Sequence, residues 1–206
     1  MKLGLFDCIA ACGLLLTFGL AGCKQSEPVK ARIPINFFSM QVNGQPWKPY
    51  QNPTDSCMGS TFGATQSELQ YASGKVVPFY TFSAYRDPSG QANAYSENLF
   101  VIRVMNVTEP GIYLLDGTYK EDFDSHIMFQ MQRPTGGLKR YVNNPTRRPF
   151  VVYVQELLPI KDSPTKGVRG SFAGVLYNES NQSDSLVIEK GNFTFALVNY
   201  PDNCGF

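Results

Sequence analysis

The chain has 206 residues, with 18 Lys and Arg against 17 Asp and Glu for a formal net charge of +1, and it is 43% apolar and 17% charged. It is too apolar for a disordered chain, too sparsely charged for a coiled coil, and lacks the basic excess of a nucleic-acid binder, so no nucleic-acid partner is expected. Its 18 Gly and 14 Pro interrupt helices of ordinary length, 13% aromatic content favours pleated surfaces, and a lone histidine leaves no multi-histidine metal site.

The chain opens on Met1-Lys2 and reaches an apolar run over residues 9–20, with Asp7 at its edge. A dozen apolar residues are too few to cross a bilayer core of about 30 Å, but they suit the apolar centre of a signal peptide. Leu20-Ala21-Gly22-Cys23 resembles the lipobox of bacterial lipoproteins: the Cys23 thiol would receive a diacylglycerol, and Ala21 and Gly22 are small enough for the signal peptidase. The alternative is a generic secretory signal in which Cys23 is incidental. The resemblance divides the chain into a signal peptide (1–22), a lipidated tether (23–34) and a single all-β domain (35–206). It implies a permanent membrane attachment through acyl chains. Lys24-Gln25 in place of an Asp implies no inner-membrane retention, hence an outer-membrane lipoprotein of the cell envelope.

The first element of the domain is a hairpin around Val42-Asn43-Gly44-Gln45, because both central residues of a type I′ turn need positive φ. Trp47, the single tryptophan, follows it, either as a glycan-stacking platform or as a core plug. Residues 53–66 and 87–97 read as loosely structured, with room for a short helical turn. Between them Tyr80, Phe82 and Ala84 alternate with Thr81, Ser83 and Tyr85, and residues 99–107 are apolar on nearly both faces, as in a central strand.

After the turn Glu109-Pro110-Gly111 comes the acidic group Asp116, Glu121, Asp122 and Asp124. Its spacing is not that of an EF-hand, so a solvated loop is the better reading than a Ca²⁺ site, and no pair stands out for carboxylate-based hydrolysis. Ile127, Phe129 and Met131 then alternate with His126, Met128 and Gln130, which turns His126 outward. Residues 133–148 carry Arg133, Lys139, Arg140, Arg147 and Arg148 with no acid from 125 to 155, and Gly136-Gly137 and Asn143-Asn144-Pro145 mark them as a long loop. Arg140, Arg147 and Arg148 are the candidates for binding an external anion, such as an acidic glycan or another envelope component. Internal pairing with residues 116–124, or plain solvation, is the favoured alternative.

Two further runs alternate: Phe150, Val152 and Val154, and Phe172, Gly174 and Leu176. Asp184-Ser185-Leu186 resembles the short O-glycosylation acceptor of Bacteroidota and makes Ser185 a candidate modification site in a loop. A turn at Lys190-Gly191-Asn192 precedes the last run, Phe193, Phe195 and Leu197. Of five cysteines, Cys8 and Cys12 leave with the signal peptide and Cys23 carries lipid. Cys57 and Cys204 remain, and in an exported protein they are expected to form a disulfide rather than two free thiols. About nine or ten strands at this spacing predict an antiparallel β-sandwich, with a lipocalin-like barrel as the alternative.

Three segments carry a family likeness: Phe38-Ser39-Met40-Gln41-Val42-Asn43-Gly44-Gln45-Pro46-Trp47; Pro110-Gly111-Ile112-Tyr113-Leu114; and Gly167-Val168-Arg169-Gly170-Ser171-Phe172 with Ile188-Glu189-Lys190-Gly191-Asn192-Phe193. They resemble the Asn-Gly-x-x-Trp, Gly-x-Tyr-x-Leu and paired Gly-x-Phe motifs of small Bacteroidota outer-membrane lipoproteins of domain-of-unknown-function families. The resemblance implies fold and compartment but carries over no catalytic residue. The expected function is therefore a non-enzymatic binding or structural module without cofactor or metal. A glycan-binding accessory to polysaccharide uptake is the runner-up, and a carboxylate hydrolase the competing class.

Overall fold

The computed structural model describes residues 36–50, 61–86, 98–118, 124–132 and 137–196. Cys23, Cys57, Cys204, Glu121, Asp122 and Arg133 lie outside them, as do the signal segment, the tether and Leu197.

Eleven strands form one antiparallel sheet among the described residues: β1 (Asn36–Val42), β2 (Gln45–Trp47), β3 (Phe62–Gln70), β4 (Val76–Tyr85), β5 (Asn98–Met105), β6 (Gly111–Leu115), β7 (His126–Gln132), β8 (Leu138–Val142), β9 (Phe150–Pro159), β10 (Lys166–Asn178) and β11 (Asn181–Phe195). The main path runs β2-β1-β11-β10-β8-β7-β5-β4-β3, with β9 and then β6 branching from β10. β10 makes the branch possible because it is long: residues 166–173 pair with β9, while Tyr177 and Asn178 pair with β8 on the same edge. The path ends on β2 and β3, which do not pair, so the sheet is sandwich-like rather than a closed barrel.

Two layers face each other across the core. Phe82 on β4 stacks on Phe193 and Phe195 of β11 at 4.7 and 5.5 Å between centroids, and Phe38 of β1 meets Phe100 of β5 at 5.5 Å. Nine buried phenylalanines dominate this interior. Each fully buried one is worth about 1.5–3 kcal/mol relative to exposure, which lets one core hold the domain. The inward residues are the ones that alternation predicts: Tyr80, Phe82 and Ala84; Ile127 and Phe129; Phe150, Val152 and Val154; Phe172 and Leu176; Phe193 and Phe195 are all buried. The Asn43-Gly44 turn has φ of 49° and 76°, as a type I′ hairpin requires. The Asn43 side chain accepts from Val187 N at 2.8 Å, which ties the hairpin to β11. Tyr80 is held where the layers meet: its hydroxyl lies 3.0 Å from Lys166 O and 3.1 Å from Gln66 Oε1, and burial, then Tyr113, pushes its pKa up to about 12.

Several expectations need correction. Residues 62–66 are not loose but open β3, since β4 supplies their ladder. Residues 133–148 are not one loop, because β8 runs through them between β7 and β10. Lys190-Gly191-Asn192 is no turn: β11 continues through it as a bulge, the pairing stepping from Asn192 to Glu189 opposite Ser39 and Gln41. Ser185 lies within β11, opposite Tyr177, rather than in a loop. His126 points away from the core in the alternation, yet it is buried at 7% exposure.

Candidate functional site

The densest polar grouping among the described residues lies where β8 meets the β10–β11 hairpin. β8 sets Lys139 and Tyr141 on one face and Arg140 on the other. Asp184, from the start of β11, sits at the centre. Lys139 Nζ lies 2.7 Å from its Oδ2, Asn178 Nδ2 donates to Oδ2 at 2.8 Å, and the Tyr141 hydroxyl donates at 3.1 Å. The Lys139 ammonium also stands 5.4 Å above the Tyr141 ring. Hydrogen bonds from Lys139, then Asn178, hold the Asp184 carboxyl below its usual range, and the bond to Asp184, then Tyr141, holds Lys139 above its own.

Two of the other basic residues are engaged in the same neighbourhood. Arg140 Nη1 donates to Glu179 Oε2 at 3.3 Å, and Glu179 N returns a bond to Arg140 O at 2.9 Å. Arg147 Nη1 donates to Gln182 O at 2.9 Å while its guanidinium lies 5.1 Å from the Tyr177 ring centroid. Asn144 Nδ2 adds a bond to Gln182 Oε1 at 3.0 Å. Arg148 is exposed, and its backbone pairs with Asn144. The arrangement is a clasp in which Asp184 and Glu179 supply the acids among the described residues. Of the three candidate anion binders, Arg140 and Arg147 are engaged within the protein and Arg148 stands at the rim.

The remaining candidates are dispersed. Trp47 is 4% exposed, with its ring against Phe38, Phe100 and Phe129 at 6.0, 6.3 and 5.7 Å, so it plugs the core and offers no face to a sugar. Ser185 is exposed on β11. In the acidic stretch, Asp116 is exposed while Asp124 packs against Gly117, with its carbonyl 3.0 Å from His126 Nδ1. Buried Asn143 fixes this corner: its Nδ2 donates to Leu115 O at 3.0 Å and Gly117 O at 2.8 Å, and its Oδ1 accepts from Ile127 N at 3.0 Å. Among the described residues no group of three ligating side chains could hold a metal ion.

One feature escaped the sequence reading. Ile112, Leu114 and Tyr153 are exposed by 71%, 53% and 45% on the outer side of β6 and β9. The apolar run 112–115 is its main sequence signal, and a strand's alternation does not say whether anything covers its outer face.

No curated protein and no solved structure matches the chain. A family defined as a domain of unknown function, DUF5025, matches residues 35–196, from the residue before β1 to the residue after β11. The Asn-Gly hairpin, the buried Trp47 and the paired Gly-x-Phe strands all lie inside that match, and the chain belongs to the DUF5025 family.

Proposed function

We propose that the protein is an exported lipoprotein, anchored by acyl chains on Cys23 in the outer membrane, whose β domain is a non-enzymatic binding or structural module. The observation that carries this reading is the tetrapeptide Leu20-Ala21-Gly22-Cys23, placed about a dozen residues ahead of β1, the first strand of an all-β domain. The polar clasp supports a module rather than an enzyme because its acids and bases are spent on one another. The glycan-uptake alternative loses its aromatic platform with the burial of Trp47.

The test is fractionation of cells carrying the full chain or Cys23→Ala. The full chain is expected in the membrane pellet and the detergent phase, and the variant in the soluble fraction with its leader uncleaved. Unchanged detergent partitioning of the variant overturns the anchor. The same preparations test the proposed Cys57–Cys204 disulfide, which closes a loop of nearly 150 residues and is worth about 5 kcal/mol in the chain-entropy picture. Thiol labelling of denatured protein should require reductant at both positions.

A further inference from the structure

Eight large apolar side chains stand exposed among the described residues, and five of them (Phe37, Ile112, Leu114, Tyr153 and Val187) belong to the strands of one layer, β1, β11, β10, β9 and β6. Each alternates with buried or half-buried neighbours, so all five point to the outer side of that layer. The register lays out the surface between them. Ile112 faces Tyr153, which faces Ser171, then Asn192, then Ser39; Leu114 faces Val151, which faces Ala173. These rows hold no charge as far as β10; on β11 the second meets the bulge, where Glu189 and Lys190 are both exposed and offset each other. The next row, Phe37, Thr194, Arg169 and Glu156, holds one ion pair that neutralises itself at 3.1 Å.

Among the described residues β6 is also a sheet margin, paired only with β9. Margins in water are normally blunted by charge, proline or shortness. β2 has three residues with Pro46 at its centre, and β3 carries Glu68, but β6 reads Gly-Ile-Tyr-Leu-Leu with no such device. A neutral face rimmed by Tyr, Phe, Ile and Leu matches the chemistry of a membrane interface, where an aromatic ring with a polar end sits among headgroups. The chain itself indicates which surface is near. The segment after Cys23 enters β1 at Asn36, next to Phe37 on this face, and about a dozen residues span at most roughly 40 Å. From β1 to β6 is four strand spacings, about 20 Å, so the whole face lies within the tether's reach.

We propose that the outer face of β6 and β9, centred on Ile112, Leu114 and Tyr153, seats on the lipid bilayer to which the chain is tethered. The seat rests on the lipoprotein reading above, and its test separates the two. The full-length lipidated protein is reconstituted into phosphatidylethanolamine–phosphatidylglycerol vesicles containing lipid with brominated acyl chains. Ile112→Trp, Tyr153→Trp and Val76→Trp are compared, with the unsubstituted protein supplying the Trp47 background. Val76 is the control because it is 48% exposed at the start of β4, in the opposite layer. The tryptophans at 112 and 153 should emit to the blue of the one at 76 and be quenched several-fold more by bromine. Equal quenching at all three positions overturns the seat while leaving the anchor standing. A blue shift at 112 without bromine quenching also overturns it, in favour of a second copy or another protein on this face. Failure of the wild-type protein to sediment with vesicles removes the anchor and the seat together.

Discussion

Gly170 and Phe193 face each other across β10 and β11, and two residues along Phe172 faces Gly191. The two Gly-x-Phe motifs are thus one device used twice in reverse: each ring lies over the bare backbone of the opposite strand. A methyl group at Gly191 would stand 2.6 Å from Phe172 O, and one at Gly170 would stand 2.6 Å from Phe193 Cζ and closer still to Tyr153 O. Rings can tilt, but Tyr153 O belongs to the β9 ladder and cannot yield without moving that strand. Gly170→Ala is therefore expected to destabilise the domain by about 2–4 kcal/mol, at or above the usual range for an overpacked core. Gly63→Ala in β3, where nothing lies within 4 Å of the added carbon, should stay within about 0.5 kcal/mol. Urea unfolding of the two variants decides it, and equal midpoints would refute the steric account.

At the scale of elements, alternation made the in-or-out pattern of β4, β7, β9, β10 and β11 legible, because a strand's period is local. β8 was hidden by its composition: Lys139 and Arg140 between glycine- and asparagine-rich flanks read as solvated loop. What makes it a strand is partners far along the chain, including the carboxylates of Glu179 and Asp184 some forty residues on. His126 was misjudged for the same reason, since alternation gives the face of a sheet but not what covers it. The clasp has a pH signature. Asp184 titrates below its usual value when folded, so its contribution is present above the ordinary carboxylate pKa and is lost as pH falls through the lowered one. Lys139 titrates above its usual value, so its contribution is complete below the ordinary lysine pKa and fades only as pH rises through the raised one. The pair therefore supports the fold across neutrality. Asp184→Asn should lower the melting temperature at neutral pH and flatten its decline towards acid. Thermal melts across that range check this, and an unchanged acid slope would assign the decline to other carboxylates.

For the whole molecule, the first and last strands of the described domain are neighbours, β1 pairing with β11 from Asn36↔Phe195 to Val42↔Ile188. Strand periodicity alone left sandwich and barrel both open. The choice depends on whether β2 and β3 meet, which is a property of strand order and not of any segment. Such long-range pairing must close large loops before it is rewarded, which makes folding slow and joins the layers into one cooperative unit. Trp47 reports on that union, because its indole touches Phe38 of β1 on one side and Phe100 and Phe129 of β5 and β7 on the other. As the sole tryptophan, it gives an intrinsic signal that requires both layers to be assembled. Trp47 fluorescence and far-ultraviolet circular dichroism should trace one superimposable urea transition, and refolding should take milliseconds to seconds or longer, as in other all-β topologies. If the fluorescence change came at lower urea than the loss of strand signal, the layers would be separating before the sheet melts, and the single-core account would fail.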